Sequence, residues 1–216
     1  MSIQYRQEER LSNRFGIWRD KYGHRSINRD KKLVFSDHVD IIGMPWRGGR
    51  VLKLGVISDT HLSGYDEHFE EIITQYLKDA DLIVHAGDVV SPEVLDMFGE
   101  KELAVVCGNM DPISLHKRYP DKSLMEINGF RIALIHDINK VKGWGMSANL
   151  GEKINRFFGR VDCLIHGHTH DPSVSKTDGI ILFNPGSATN NRYLPFNTLG
   201  IVEIKDRIEI EILEIA

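Results

Sequence analysis

Five short apolar runs in this chain each stop on an aspartate, an asparagine or a histidine, and that repeated ending constrains the fold more than any other feature. "VLKLGVIS" runs into Asp59-Thr60-His61, "DLIVHAG" into Asp88, "ELAVVCG" into Asn109, "FRIALI" into His136, and "VDCLIHG" into His168-Thr169-His170. The runs are rich in Val, Ile and Leu, as buried strands are. In open α/β sheets ligands gather beyond the carboxyl ends of strands. Taken singly, each ending reads as something plain: an Asp-x-His or a Gly-Asp is ordinarily a turn, and a strand-end histidine is ordinarily a satisfied core residue. Five at successive strand ends, all of metal-ligating type, reverse that reading and point to one crevice lined by oxygen and nitrogen donors.

Helical patterns lie between the runs. Residues 67–79 space Phe69, Ile72, Ile73, Tyr76 and Leu77 on one helical face. "SPEVLDMFG" predicts a helix capped by Ser91, with Pro92 at its first position and Gly99 as its stop. Downstream, "SLMEI-NG-FRIALIHD" carries an Asn-Gly hairpin signal, residues 147–158 predict a helix, and "SVSKTDGIILFNPGS" is hairpin-like. The sequence closes on a strand pair around Asp206. The first half alternates strand and helix and the second half is strand-rich, so a mixed sheet, or two sheets, flanked by helices is expected.

The charge is unevenly spread. Residues 1–50 hold eleven Lys/Arg against six Asp/Glu, a net of +5 in a chain of 216 residues whose total is −4, so the remainder carries −9. Two readings of that front segment stand. It is a basic, loosely packed or partly disordered extension before a domain at 51–216. Alternatively, the Gly-Gly of "RGGR" reflects purine-rich codons resembling a ribosome-binding site, and Val51 is a GTG start. Cys107 and Cys163 both fall in apolar runs and are expected as buried free thiols of a reducing compartment. No stretch approaches the roughly 18 apolar residues of a membrane span, and the front lacks a signal-peptide core. The cytoplasm is the expected location.

The donor set has its own electrostatic logic. Two carboxylates, one amide oxygen and four imidazoles exceed what one zinc takes. They suit two divalent ions bridged by a carboxylate. The ions bring four positive charges; Asp59, Asp88 and a bridging hydroxide remove three. The residual charge, about +1, matches a phosphodiester anion.

This order of motifs, D-x-H, G-D, G-N-x-D, H and G-H-x-H, resembles the calcineurin-like metallophosphoesterase superfamily, and within it the small single-domain YfcE-like phosphodiesterases. "NPGS" at 184–187 is a further element of that group. The likeness runs from Val51 to Ala216. It implies an α/β (α+β) fold, a four-layer αββα sandwich of two mixed sheets. It implies one ion held by Asp59, His61, Asp88 and His170, and a second held by Asp88, Asn109, His136 and His168, with Asp88 as the bridge. The implied cofactors are two divalent ions, Mn2+ foremost, with Fe, Ni, Zn or Co suited to the same donors. Catalysis would rest on Asp88, Asn109, Asp111 and His168, with Asp111 orienting the site. Asn109 would contact substrate; Arg192, after "NPGSATNN", reads either as a phosphate contact or as a plain surface arginine.

Two positions depart from the pattern. Met110 stands where many superfamily phosphatases have a histidine that protonates the leaving oxygen, and a thioether cannot donate a proton. Asp137 stands where a glycine usually follows the strand-end histidine; it could cap the turn, bind a ligand water or hinder substrate. Trp144 could wall the pocket or take a partly buried packing role. His85 and His166 fit supporting or core positions, and His68 and His116 fit solvated ones. The expected activity is metal-dependent hydrolysis of a small phosphodiester by a hydroxide activated between two ions. The rivals are a non-catalytic binding scaffold of the same fold and a nuclease. Nucleic acid is the less favoured partner because the domain itself is acidic. No membrane partner is expected, and the oligomeric state is not readable.

Overall fold

The computed structural model describes residues 17–19, 25–27, 50–143 and 149–215. The chain divides into two compact units, Met1–Val34 and Phe35–Ala216. In the first unit, strands β1 (Ile17–Arg19) and β2 (Arg25–Ile27) pair antiparallel, Ile17 opposite Ile27. The expectations for the rest of residues 1–49 and for Trp144 lie outside the described residues.

The second unit is built on two five-stranded mixed sheets. The first contains β3 (Leu52–Ile57), β4 (Leu82–His85), β5 (Glu102–Val105), β11 (Asn197–Ile204) and β12 (Ile208–Ile215) in the order β12-β11-β3-β4-β5. The second contains β6 (Lys122–Ile127), β7 (Phe130–Ile135), β8 (Cys163–Ile165), β9 (Ser173–Thr177) and β10 (Ile180–Asn184) in the order β6-β7-β8-β10-β9. Helices α1 (Glu67–Tyr76) and α2 (Pro92–Asp96) serve the first sheet, and α4 (Asn139–Lys142) and α5 (Leu150–Phe158) the second. A single turn, α3 (Ile113–His116), follows β5.

Strand periodicity builds the layers. Leu54 and Val56 of β3, Leu82 and Val84 of β4, Ile132 and Leu134 of β7, and Cys163 and Ile165 of β8 share one cluster between the sheets. The alternate residues turn outward. Ile57 and Ile83 meet Phe69, Ile72 and Ile73 of α1. Ala133, Ile135 and Leu164 meet Val141, Ile154 and Phe158. Strands buried on both faces read as continuous apolar runs, which is why the motif-bearing strands show no polar alternation. The result is the expected sandwich, helix on sheet on sheet on helix.

Three helices differ from expectation. α2 ends at Asp96 with Met97 at its C-cap, short of Gly99, and Ser91 holds the N-cap position without a side-chain cap hydrogen bond. α1 ends at Tyr76, not at 79, because Leu77 leaves helical geometry while its N–H still reaches the Ile73 carbonyl; its side chain is buried, which prolonged the apolar pattern. α5 starts at Leu150, where the Asn149 side chain accepts the Glu152 N–H at 2.8 Å. Both hairpin signals hold. Asn128-Gly129 and Asp178-Gly179 each carry two consecutive positive φ values (50° and 83°; 50° and 86°), the turn that matches strand twist.

The topology positions the site. β3, β4 and β5 run parallel in one sheet, and β7, β8 and β10 run parallel in the other. The motifs that leave these strands are Asp59 and His61, Asp88, Asn109, His136, His168 and His170, and the "NPGS" segment.

Candidate metal centre

The backbone at these strand ends is unusual. Eight non-glycine residues have positive φ among those described; two are the hairpin residues, and the other six are Asp59, His61, Asp88, Val90, His168 and His170. Left-handed backbone costs an L-residue free energy, about 1–3 kcal/mol where strained, and persists only where surroundings enforce it. Val90, at φ 73°, is β-branched and the clearest case. Its N–H donates to Asp111 Oδ1 at 2.7 Å.

Asp111 is the brace of this region. Its Oδ2 accepts the N–H groups of Asp88 (3.1 Å) and Gly108 (2.7 Å). All its hydrogen bonds go to backbone, so it holds the Asp88 and Asn109 loops rather than facing a reacting atom. Gly108 passes so close that a Cβ there would strike the Asp88 carboxylate.

Asp59 is fully buried. Its Oδ2 accepts the Ser58 hydroxyl (2.6 Å) and the His168 N–H (3.0 Å). Its Oδ1 has no hydrogen-bond partner among the described residues. That orphan oxygen lies 3.4 Å from His170 Nε2 and 3.8 Å from His61 Nε2. The two imidazole nitrogens stand 3.1 Å apart, in stacked rings. His170 Nδ1 lies 2.7 Å from the Asn190 carbonyl and donates to it, which in the neutral ring leaves Nε2 bare.

The second half of the cluster repeats the arrangement. His136 Nδ1 donates to the Ala86 carbonyl at 2.8 Å. In the neutral ring Nε2 is then a bare lone pair, yet it faces Asp88 Oδ2 at 3.3 Å and Asn109 Oδ1 at 3.1 Å, both acceptors. Asn109 Oδ1 also lies 2.9 Å from His168 Nδ1. Asp88 Oδ1 is occupied by the Met110 N–H (2.8 Å), and its Oδ2 stands between His136 and His61, the latter at 3.7 Å.

Lone pairs pointed at lone pairs repel unless a cation sits among them. Without one, protons must serve. Burial opposes charge on His136, but the adjoining Asp88 carboxylate outweighs it and raises the His136 pKa. Burial likewise works against the Asp88 charge, and His136, the Met110 N–H and His61 more than offset it, so its pKa is lowered. At His61 burial dominates and lowers the pKa, aided by His170 and Arg192. A divalent ion would satisfy the same atoms. Ligands bonded at about 2.1 Å to one ion lie about 3.0–3.4 Å apart, close to the spacing of these donors. Candidate ligand atoms of Asp59, His61 and His170, and of Asp59, Asp88 and His136, fall within 4.8 Å of one another. The orphan Asp59 oxygen and the bare His136 and His170 nitrogens therefore fit metal ions.

Other expected residues lie at or beyond the rim. Arg192 is exposed, near enough for its charge to depress His61. Met110 is 56% exposed. Asp137 caps the next turn, its Oδ1 accepting the Asn139 N–H at 2.8 Å. His166 is buried, with Nδ1 3.4 Å from the Gly167 carbonyl, and burial lowers its pKa to about 4. His85 lies behind the site against Thr60 and the Gly87 N–H. His68 is exposed near Glu71, and His116 pairs with Asp121. Both cysteines are buried and free, and burial pushes both thiols up to about 12.

Sequence reasoning missed the residues that hold the donors. The Ser187 hydroxyl donates to the Asp59 carbonyl (2.7 Å) and accepts the Asn190 N–H (2.9 Å), which sets the carbonyl under His170. Asn184 donates to the Gly167 carbonyl (3.2 Å) and Thr169 Oγ1 (2.9 Å), fixing the "GHTH" loop. The signal was present in "NPGS", whose first and last residues are these two.

A sandwich with this donor cluster where its parallel strands end defines a metallophosphoesterase. The family model described as the calcineurin-like phosphoesterase superfamily domain matches residues 52–207, and the chain belongs to that superfamily. A probable metallophosphoesterase of Methanocaldococcus jannaschii is 37% identical over 172 residues, 77% of this chain and 83% of that protein. A phosphodiesterase of the same organism is 26% identical over 172 residues, 75% of this chain and 99% of that protein. In fold, the chain is similar to the Vacuolar Protein Sorting 29 protein of Cryptosporidium parvum, with TM-score 0.58 and 21% identity over 77% of this chain and 98% of that one.

Proposed function

We propose that this phosphoesterase is a dinuclear metal-dependent phosphodiesterase. The observation that carries the reading is the convergence of bare donor atoms: the orphan Asp59 Oδ1, and the Nε2 atoms of His136 and His170 turned toward carboxylate and amide oxygens. One ion is assigned to Asp59, His61, Asp88 and His170, and the other to Asp88, Asn109, His136 and His168, with Mn2+ the expected metal. When bound, the ions would supply Lewis acidity toward phosphoryl oxygen and lower the pKa of water.

The chain's own residues do the positioning. The Ala86 and Asn190 carbonyls fix the tautomers of His136 and His170. Asp111 sets the Asp88 loop. Arg192, exposed beside His61, supplies a positive charge to meet a phosphate. Asn109 and His168 complete the half-site that faces solvent. A residual charge near +1 suits a diester better than a dianionic monoester. With Met110 in place of a proton donor, the leaving oxygen has no side-chain acid at that position, so aryl-type leaving groups should depart much faster than plain alkyl ones. The two buried thiols support a reducing, cytoplasmic compartment.

The test is Mn2+-dependent hydrolysis of a bis-aryl phosphate diester by the intact protein and by Asp88→Asn. Turnover in the former and a loss of about 10³-fold or more in the latter is expected. Equal inactivity of both with metal supplied would reject the diesterase reading in favour of a binding scaffold.

A further inference from the structure

We propose that Asp137 is a positioning residue for His168. Its carboxylate receives the Nε2–H of that imidazole and so keeps Nδ1 bare toward the metal. The inference rests on the dinuclear reading above.

The two nitrogens of His168 look in different directions. Nδ1 lies 2.9 Å from Asn109 Oδ1, which is itself 3.1 Å from His136 Nε2, so Nδ1 is the atom that joins the donor set. A neutral imidazole carries one proton. If Nδ1 is a ligand, the proton sits on Nε2 and needs an acceptor. His136 and His170 solve the corresponding problem with backbone carbonyls, of Ala86 and Asn190. No such carbonyl partner for His168 Nε2 is found among the described residues; the carboxylate near it is Asp137 Oδ2, at 4.0 Å.

That carboxylate is held. Oδ1 accepts the Asn139 N–H at 2.8 Å as the chain enters α4, and the Asp137 carbonyl accepts the Lys140 N–H at 3.2 Å. Among the described residues Oδ2 carries no hydrogen bond and is left for His168. The gap exceeds a hydrogen bond by roughly 1 Å, within reach of a small ring rotation or one bridging water. The dipeptide His136-Asp137 would then act twice: residue 136 as a donor to the ion, residue 137 as the partner that orients a different donor. Such carboxylate–histidine–metal relays set tautomer and ligand basicity, and losing the outer partner typically costs 10–100-fold in metal affinity.

The test compares wild type, Asp137→Asn and Asp137→Gly by calorimetric Mn2+ titration, with thermal unfolding of the metal-free proteins alongside. Asparagine keeps the cap on Asn139, so its metal-free Tm should match wild type. Wild type should bind two ions. In Asp137→Asn one of the two affinities should fall about 10-fold, and in Asp137→Gly up to about 100-fold, the other ion being unaffected. In the zinc-loaded wild type, long-range 1H–15N spectra should show His168 protonated on Nε2, with a slowly exchanging proton that is lost in Asp137→Gly. Two ions bound with unchanged affinities in both variants, or a His168 proton on Nδ1, overturns the role of Asp137 alone. Fewer than two ions on wild type overturns the dinuclear reading and this inference with it.

Discussion

At the scale of single residues, the molecule repeatedly solves one problem: imidazoles have two faces, and each must be told which to present. His85 is the case that faces away from the donors. It is fully buried; its Nδ1 accepts the Gly87 N–H at 3.2 Å, and its Nε2 lies 3.2 Å from Thr60 Oγ1. The ring is therefore a neutral connector between the Asp59-Thr60-His61 and Gly87-Asp88 turns. Burial, aided by His136, lowers its pKa to about 3. An unfolded histidine titrates near 6.5. A depressed base binds fewer protons folded than unfolded, so its contribution is fully present above about pH 6.5 and is lost as pH falls from there toward 3, at up to about 1.4 kcal/mol per unit. Comparing urea unfolding of the metal-free wild type and His85→Gln from pH 7.5 down to pH 4.5 isolates this proton. The wild type should be the more stable at pH 7.5, and the gap should close with acid; a gap independent of pH refutes the assignment.

At the scale of elements, the tie between the two sheets has a part invisible in the hairpin signal. Asn128 supplies its turn with positive φ, but its side-chain amide also donates to the carbonyls of Ile204 (2.8 Å) and Arg50 (3.2 Å). The β6–β7 turn of one sheet is thereby tied to the end of β11 in the other. Asn128→Gly retains the backbone freedom and deletes the amide. A loss of about 1–2 kcal/mol, or roughly 2–8 °C in Tm for a domain of this size, should appear in thermal unfolding. The turn itself was legible because Asn-Gly and Asp-Gly have a backbone reason to be there. So were the strands and the Asp, Asn and His residues that converge where they end, since buried parallel strands leave long apolar runs and the polar cluster begins where these stop. What was not legible follows from scale. α3 and α4 span four residues each, too few for a helical period. Ser58, Asn184 and Ser187, which hold Asp59 and the "GHTH" loop, have the composition of any turn; Ser58 bonds the residue beside it, and the partners of Asn184 and Ser187 lie far along the sequence. Left-handed φ at Asp59, His61, Asp88, His168 and His170 has no sequence mark at all, because glycine, its usual sign, is not the residue the chemistry needs.

At the scale of the whole molecule, the proposed centre is also a fastener. Asp59, His61, Asp88 and Asn109 leave strands of the first sheet; His136, His168 and His170 leave strands of the second. Under the proposed assignment each ion takes donors from both. Between the sheets lies an apolar layer that is non-directional, so the polar edge is where their relation is specified. Without an ion that edge relies on protons shared between His136 and Asp88 and keeps a buried Asp59 oxygen with no partner among the described residues, and the strained backbone around it has less to hold it. Metal should therefore stabilise the folded chain as well as equip it. By linkage, free ion at 100 times its Kd contributes about 2.7 kcal/mol for each site. For one site that is roughly 5–11 °C of Tm in a domain of this size. Calorimetric scans of the chelator-stripped protein across a Mn2+ titration should show Tm rising continuously with free ion. Asp88→Asn, which removes the charge facing both His61 and His136, should flatten that rise while keeping the metal-free Tm within a few degrees of wild type. A metal-free protein whose Tm ignores added Mn2+ would mean that protons, not ions, hold the two sheets together at this edge.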